Sequence, residues 1–359
     1  MAYLDTTVLN DFQAAEATNE KRIAKYGMID LAKDSTPFVD YIPPSVQQQL
    51  RTISASRSAT VPVLKDQSVT VVTTPGFNYI PENLAETDAY SFTAYDVFTG
   101  MRFYPASFRN NQMDAMFYRD QVLRNILQAA AVSIDDIIET VLLARRSQVL
   151  SYTTQISQGD GTFTFQTATD QLDIAKAAIK DTMFANLQAL MAANQLGGDY
   201  RIVTSPAGLT IVTTETWKYG ANNTKNLQEV NSVIPMDRKY ESHQLAAGSD
   251  VFTGFFVRDG AIGVYENFPF DFEQGTNFAG KKWSISDVEL PFTRMRANVY
   301  VNTEASEATS LVSPNTDTNL KMTHFEEMAL WFRFYVGYRY NSDLTSRAND
   351  IVKIVGKTS

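Results

Sequence analysis

Cysteine is absent from this chain of 359 residues, and histidine occurs only twice, as His243 and His324. Without cysteine the protein can form no disulfide, no thiolate nucleophile and no cysteine-ligated zinc or iron–sulfur cluster. Two histidines far apart in the sequence exclude a histidine-rich metal centre, and a catalytic triad would have to recruit one of them. We therefore assign no catalytic, cofactor-binding or metal-ligating residue, and we expect that the protein is not an enzyme.

Basic residues and long apolar runs are also scarce. The chain has 31 Lys and Arg against 40 Asp and Glu, which gives a net charge of −9. Because affinity for phosphate comes from clustered Lys and Arg, the protein is a poor candidate for binding nucleic acid tightly. No run approaches about 18 apolar residues, and residues 1–20 lack the basic flank and apolar core of a signal peptide. We expect synthesis in the cytoplasm and no membrane partner.

The glycine patterns predict turns and no phosphate or calcium loop. Gly197-Gly198 follows a predicted helix instead of opening one, so it indicates a helix end. Gly159-Asp160-Gly161 is typical of a hairpin turn, and too few acids surround it for a calcium loop.

The strongest pattern in the sequence is helical. From Asp114 to Leu150 there is neither Pro nor Gly, and apolar residues recur every three or four positions. The segment predicts a helix of about 50 Å, longer than an average small domain. Asp135, Asp136 and Glu139 lie mainly off the apolar stripe, and we interpret them as a solvated or subunit-facing acidic face rather than a metal or acid–base cluster.

Residues 51–110 alternate apolar and polar side chains, which predicts two or three β-strands. So few strands are marginal in isolation, and this β-excursion therefore requires a neighbour, in the same chain or in another subunit. Residues 1–50 before it show a loose helical pattern interrupted by prolines and predict a partly helical arm. The alternation is clearest at residues 59–63, 68–72 and 90–95.

The rest of the chain mixes a helix with short strands, so the fold class is predicted to be α+β. Residues 170–194 predict a second amphipathic helix, and residues 304–320, rich in Asn, Thr and Ser, predict a loop. Further strands are predicted at 200–204, 251–257, 261–265, 294–301 and 328–340.

The run from Trp331 to Tyr340 combines aromatic residues with Arg. Such a run could stack on bases, as in proteins that bind single-stranded nucleic acid. The alternation of Phe332, Phe334 and Val336 favours instead a strand with one face in the core.

Three segments carry a resemblance to a known family: residues 199–206 (Asp-Tyr-Arg-Ile-Val-Thr-Ser-Pro), residues 255–264 (Phe-Phe-Val-Arg-Asp-Gly-Ala-Ile-Gly-Val) and the run 331–340. Together with the order arm, β-excursion, long helix, α/β region and returning strands, the chain resembles the major capsid proteins of tailed bacterial viruses. That family has the Hong Kong 97-like fold. The resemblance implies an N-terminal arm (1–50), an E-loop region (51–112), a peripheral or P domain with a spine helix (113–166), an axial or A domain (167–290) and a return to the P domain (291–359).

The resemblance also implies a function. A capsid protein of this family self-assembles in hexamers and pentamers into an icosahedral head and encloses double-stranded DNA without sequence-specific binding, which suits an acidic chain. The implied partners are further copies of the chain and scaffolding, portal and decoration proteins, and the implied location is the virion. Because the chain before the E-loop region is short, a separate scaffolding protein or trimming of a short arm is implied.

The E-loop region supplies the contacts that this resemblance implies. We predict subunit contacts at Val69, Val71, Phe92 and Tyr95. Lys65 could donate to a Lys–Asn isopeptide bond, as in some family members, but a solvated or subunit-contacting lysine is the favoured interpretation.

Two alternatives stay open. The first is an encapsulin-like compartment shell, which has the same fold and encloses enzymes instead of DNA. The second is a soluble α+β hydrolase that would use His324 with the neighbouring acids Glu326 and Glu327.

Overall fold

The computed structural model describes residues 4, 11–12, 26–34, 58–64, 87–105, 112–156, 163–181, 183–211, 213, 238–245, 248–266, 277–278, 281–290, 294–312, 318–338 and 344–358. The chain divides into two compact units. The first comprises Met1–Asp30, Ala94–Ile138 and Tyr265–Tyr335, and the second comprises Leu31–Thr93, Glu139–Val264 and Val336–Ser359. None of the described helices is both long and apolar enough to cross a membrane.

Helices and strands are interspersed along the chain, which confirms the predicted α+β class. The helices are α1 (Gly27–Lys33), α2 (Gln112–Arg145), α3 (Thr153–Ile156), α4 (Lys176–Asp181) and α5 (Met183–Ala193). The strands are β1 (Ser58–Leu64), β2 (Thr87–Phe103), β3 (Phe163–Gln166), β4 (Gln171–Ile174), β5 (Tyr200–Thr204), β6 (Lys239–Glu241), β7 (Phe252–Arg258), β8 (Ile262–Glu266), β9 (Asn277–Phe278), β10 (Lys281–Lys282), β11 (Ser284–Leu290), β12 (Met295–Val312), β13 (Thr318–Tyr338) and β14 (Ile351–Gly356). The five-part division into arm, E-loop region and P and A domains stays a prediction.

Helix α2 confirms the long predicted helix. Its 34 residues correspond to about 50 Å. It ends at Arg145, five residues before the predicted end, because the backbone then bonds to β14. The Ser147 N–H donates to the Ile351 carbonyl at 2.7 Å, and the Asn349 side-chain amide donates to the Arg145 carbonyl.

The sheet of the first unit follows the order β2–β13–β12–β11, with every pair antiparallel. The buried residues of this sheet are apolar at alternating positions of β2 and β12, whereas β13 is buried on both faces over residues 325–328 and 332–335. They include Met101, Phe103, Met295, Val299, Leu330, Phe332 and Phe334. The run 331–340 is thus a core strand in its described part, as predicted, but Arg333 and Tyr335 on its other face are buried as well.

The loop predicted at 304–320 is wrong. Strand β12 continues to Val312 and β13 begins at Thr318, and the two strands pair from Ala305↔Phe325 to Val312↔Thr318 after an irregularity between Asn302 and Ala305. Thr and Ser favour turns only in the absence of a pairing partner, and Thr is itself a good strand residue.

The sheet of the second unit has the order β3–β4–β14–β7–β5–β6. Pairs β4–β14 and β5–β6 are parallel and the other pairs are antiparallel. The strand predicted at 200–204 is confirmed, and a helical turn over 206–211 follows it. A core of α4, α5 and strand residues includes Tyr200 and Phe256, whose rings stack at 4.5 Å.

The predicted helix at 170–194 begins too early. Residues Gln171–Ile174 form strand β4, which pairs with β3 across a turn at 167–170. Leu172 and Ile174 are buried with strand spacing, since two residues in these positions of a helix would point to opposite sides. The hairpin therefore lies at 167–170, whereas the predicted turn at Gly159-Asp160-Gly161 lies outside the described residues.

Helix α5 ends in a Schellman motif. The Leu196 N–H donates to the Met191 carbonyl at 2.9 Å, and the Gln195 N–H donates to the Ala192 carbonyl at 3.0 Å. Gln195 adopts a left-handed φ of 62° at the position where glycine is usual. The predicted stop at Gly197-Gly198 thus falls after the true helix end.

Replacing Gln195 with Gly is expected to raise the free energy of unfolding by about 1 kcal/mol. A left-handed conformation costs a non-glycine residue roughly 1–2 kcal/mol, which the greater freedom of glycine in the unfolded chain partly offsets. Urea denaturation of the wild type and of Gln195→Gly measures the change. Gln195→Ala keeps the backbone cost and is the control, so an equal gain in the alanine variant would contradict this explanation.

Candidate assembly surfaces

A two-stranded ribbon forms where sequence alternation predicted strands at 59–63 and 90–95. Strand β1 pairs antiparallel with the first part of β2, from Ser58↔Thr93 to Leu64↔Thr87, within the second unit. Thr60 is exposed, whereas Phe92 is buried. We call residues 58–64 and 87–93 the first ribbon.

A second ribbon extends from the sheet of the first unit. Strand β11 pairs with β12 only as far as Val301, and β2 pairs with β13 only from Glu326 onward. Beyond these points residues 305–312 and 318–325 pair with one another over eight residue pairs, a length of about 25 Å. We call these residues the second ribbon.

One face of the first unit's sheet carries aromatic and arginine side chains held in place by Asp96. The Trp331 indole N–H donates to Asp96 Oδ1 at 2.9 Å, and Arg333 Nε donates to the same oxygen at 2.7 Å. The Arg333 guanidinium lies 4.4 Å from the centre of the Trp331 ring. Phe98 is the cross-strand partner of Trp331 and is 69% exposed. Ordered Trp and Arg beside an exposed Phe are typical of interface hot spots.

A second exposed apolar group lies in the first turns of α2. Met116, Phe117 and Tyr118 are consecutive and are 42%, 68% and 48% exposed. Apolar patches of this kind on a subunit commonly mark contact with another protein. The helical pattern in the sequence did not reveal them, because the regular apolar stripe begins only at Leu123.

The residues predicted to make subunit contacts have different outcomes. Val69 and Val71 lie outside the described residues, as does Lys65. Phe92 is 5% exposed, and the half-buried Tyr95 stacks on Phe334 with ring centres 5.9 Å apart. Their role in subunit contact stays a prediction.

Two buried carboxylates hold N-terminal residues in the first unit. Asp135 Oδ1 accepts hydrogen bonds from the N–H groups of Met28 at 3.0 Å and Ile29 at 3.3 Å, at the start of α1. Glu326 Oε2 accepts from the Leu4 N–H at 2.6 Å. Burial and the negative charge of Asp135 raise the pKa of Tyr26. First-turn N–H groups lack helical partners, so a carboxylate satisfies them well.

The interpretation of Asp135 as part of a solvated acidic face is therefore wrong. Asp135 is fully buried, whereas Asp136 is exposed as expected. The sequence pattern shows a carboxylate off the main apolar stripe, but it does not show that the first turn of α1 brings N–H groups to that position.

A buried arginine joins four segments of the second unit. Arg201 on β5 donates to Asp259 Oδ1 at 2.9 Å, to the Tyr240 hydroxyl at 2.7 Å and to the Asp34 carbonyl at 2.6 Å. Tyr240 in turn donates to Asp34 Oδ2 at 3.0 Å. Burial by itself lowers the pKa of Arg201. The hydrogen bonds and charges of Asp259 and Tyr240 raise this pKa by more, so that it lies above its ordinary value. Burial, with Asp34 nearby, raises the pKa of Tyr240 to about 12 despite the opposing charge of Arg201.

The acids beside His324 have other partners. Glu327 forms an ion pair with Arg102 at 2.9 Å, Glu326 bonds to the Leu4 backbone, and His324 is exposed. His243 lies 3.3 Å from Glu241. Within the described part of the chain no group of three His, Cys, Asp or Glu residues could hold a metal ion.

Neither a protein-family model nor a curated protein matches the chain. Among solved structures, the chain is similar to one from Mycobacterium phage Che8 (TM-score 0.45, 7% identity, covering 88% of this chain and 90% of that chain). It is also similar to the capsid structure of cyanophage P-SCSP1u (TM-score 0.40, 14% identity, 86% of each chain). A third similar structure is the mature capsid of bacteriophage PhiM1 (TM-score 0.42, 11% identity, 85% of this chain and 84% of that chain).

Proposed function

We propose that the protein is the major capsid protein of a tailed bacteriophage and self-assembles into an icosahedral head around double-stranded DNA. The observation that carries this proposal is the pair of two-stranded ribbons, 58–64 with 87–93 and 305–312 with 318–325. A ribbon of two strands is marginally stable alone, and its outer edges, which pair with no other described strand, offer backbone donors and acceptors. Such an element is suited to a neighbouring subunit.

In this proposal the first ribbon belongs to the E-loop and α2 is the spine helix of the P domain. The E-loop lies on the P domain of the next subunit, in the manner of β-addition. The same contact repeated head to tail generates rings of five and six, because a heterologous interface closes when its rotation allows. Phe98 and the exposed group Met116–Tyr118 are further contact surfaces in the same assembly.

The charge of the chain supports a role in enclosing DNA without gripping it. A net charge of −9 gives weak affinity for phosphate, so the shell can contain packaged DNA without binding it strongly. Scaffolding, portal and decoration proteins are the expected partners, the virion is the expected location, and synthesis takes place in the host cytoplasm.

The purified full-length chain is expected to form closed shells of uniform diameter in negative-stain micrographs. Size-exclusion chromatography should show a large particle in equilibrium with hexamers, pentamers or free subunits. A discrete monomer or dimer under every condition of salt, pH and concentration would refute the proposal. Native particles with a high ratio of absorbance at 260 to 280 nm contain nucleic acid, whereas a protein-like ratio favours the encapsulin-like compartment.

A further inference from the structure

Strand β2 forms a long edge of the first unit's sheet that has no described partner. Residues 94–103 pair with β13 on one side, whereas β1 pairs only with residues 87–93. The edge is about 30 Å long. It contains neither Pro nor Lys, which commonly block the pairing of edge strands. Such an edge can accept a strand from another molecule.

One face of this edge has a protruding ring next to a position without a side chain. Phe98 is 69% exposed, and Gly100, two residues further along on the same face, is exposed as well. Gly100 cannot carry a side chain, because a Cβ there would lie 2.6 Å from the Met328 carbonyl oxygen of β13. The cross-strand partner of Gly100 is the small Ala329, so two neighbouring strands carry little side-chain bulk at this point.

The sequence of the edge is complementary to itself. When two copies of the edge pair antiparallel about a two-fold axis at Thr99, Phe98 of each copy lies opposite Gly100 of the other. An aromatic ring can cover a cross-strand glycine and fill the space above it. On the opposite face of the sheet the same register places Val97 opposite Met101, so apolar side chains meet there as well.

The charged residues of the edge favour the same register. Arg102 of one copy lies opposite Asp96 of the other. Acids and bases then alternate in a row across four strands, with Arg333 and Asp96 of one copy followed by Arg102 and Glu327 of the other. Each copy already joins Arg333 to Asp96 at 2.7 Å and Arg102 to Glu327 at 2.9 Å, and the Arg102 side chain remains 53% exposed. The charges therefore help to select the register without being needed to neutralise each other.

Other registers lose this match. Side chains that lie opposite each other share a face of the sheet only when the axis lies at a residue, so the nearest alternatives are axes at Phe98 and at Gly100. An axis at Phe98 places Asp96 opposite Gly100, and an axis at Gly100 places Phe98 opposite Arg102. Neither alternative brings Asp96 to Arg102.

We propose that two copies of the chain join through this edge, residues 95–103 of each, and form one continuous sheet with two-fold symmetry about Thr99. The inference rests on the proposed function and deepens it. Head-to-tail contacts close each ring, whereas a two-fold contact can join a subunit of one ring to a subunit of the next. A single strand pair buries little area, so the contact is weak alone and gains strength from its repetition over the shell.

A cysteine in place of Thr99 tests the contact, because the chain has no other cysteine and Thr99 lies opposite its own copy. Facing Cα atoms in an antiparallel pair are about 4.5–5.5 Å apart, within the range of a disulfide. The matched control is Val97→Cys, which is also half-buried on the same face of the strand. Positions 97 of the two copies are offset by four residues, or about 13 Å. With the unassembled full-length chain at high concentration and a mild oxidant, Thr99→Cys should form dimers on a non-reducing gel about tenfold faster than Val97→Cys.

The variant Phe98→Ser measures the contribution of the ring that covers Gly100. Combined with Thr99→Cys, it should slow dimer formation about tenfold, because the contact loses two buried rings. Phe117→Ser in α2 removes a ring of nearly the same exposure, 68% against 69%, and should leave the rate unchanged. Circular dichroism checks that the variants keep the fold.

Equal rates for Thr99→Cys and Val97→Cys, or equal effects of Phe98→Ser and Phe117→Ser, would overturn the contact. Shell formation by the wild type is scored separately by negative-stain microscopy. A chain that pairs at Thr99 but forms no shells under any condition contradicts the proposed function and leaves the two-fold contact. A chain that forms shells without faster pairing at Thr99 contradicts only the contact.

Discussion

A chain in which Asn-Gly replaces residues 65–86 is expected to fold normally and to form no closed shells. Leu64 and Thr87 are the last residue pair of the first ribbon, so a two-residue turn can join them without changing the register of β1 and β2. In the proposed function, the variant loses only the part of the E-loop that reaches a neighbouring subunit. Circular dichroism and thermal melting check the fold, and negative-stain microscopy with size-exclusion chromatography checks assembly.

The matched control applies the same operation to the second ribbon. Asn-Gly in place of residues 313–317 joins Val312 to Thr318, which are also a terminal residue pair. This variant keeps every described pair of the second ribbon, and we expect it to assemble. Closed shells of normal size from the 65–86 variant would show that the E-loop assignment is wrong.

Arg201→Met is expected to lower the free energy of unfolding by about 3–5 kcal/mol and the melting temperature by roughly 10 °C. Methionine replaces the long arginine side chain with a long apolar one, and this removes the hydrogen bonds to Asp259, Tyr240 and Asp34. Buried polar groups that lose a charged partner cannot regain it from water. Calorimetry and urea denaturation of the unassembled chain measure the loss.

Arg238→Met is the control for removing an arginine from the same region. Arg238 pairs at 2.9 Å with Asp199, whose side chain is 71% exposed, and only approaches Asp259 at 4.0 Å, so its loss should cost less than about 1 kcal/mol. The loss of unfolding free energy in Arg201→Lys should be intermediate, because lysine keeps the positive charge but lacks the planar guanidinium group that bonds to several partners. If Arg201→Met and Arg238→Met melted at the same temperature, the buried network would not hold the second unit together.

Sequence periodicity was sufficient to predict the long helix and several strands. Helix α2 was predictable because about nine turns repeat one pattern with no Gly or Pro, and so long a repeat fits no strand. The prediction for residues 171–174 failed for the opposite reason, since four residues are too few to reveal a period next to a longer helical pattern, and their pairing with β3 and β14 decides the structure. The loop predicted at 304–320 failed because residues typical of turns are here part of paired strands, and the pairing partner lies too far along the chain for local composition to reveal it.

The candidate surfaces were harder to predict than the fold. The exposure of Phe98, Phe117 and Asp135 depends on which residues the fold places next to them. Phe98 belongs to a regular strand pattern, and only the exposed face of the sheet separates it from a core residue. Asp135 has the appearance of a surface acid until α1, more than 100 residues earlier, is placed against it. Phe92 and Tyr95 were chosen from strand alternation, which identifies the strand but not the face that meets another subunit.

In the proposed function, the edges of the second ribbon, which pair with no other described strand, would limit the life of the unassembled subunit. An edge that can accept the correct neighbour can also accept any other exposed strand, so productive assembly competes with misassociation. Both processes involve two or more molecules, and raising the subunit concentration accelerates both. The yield of shells in the proposed assembly then depends on the rate of nucleation and not on the concentration of subunits. A factor that nucleates a shell early removes subunits from solution before their edges associate at random.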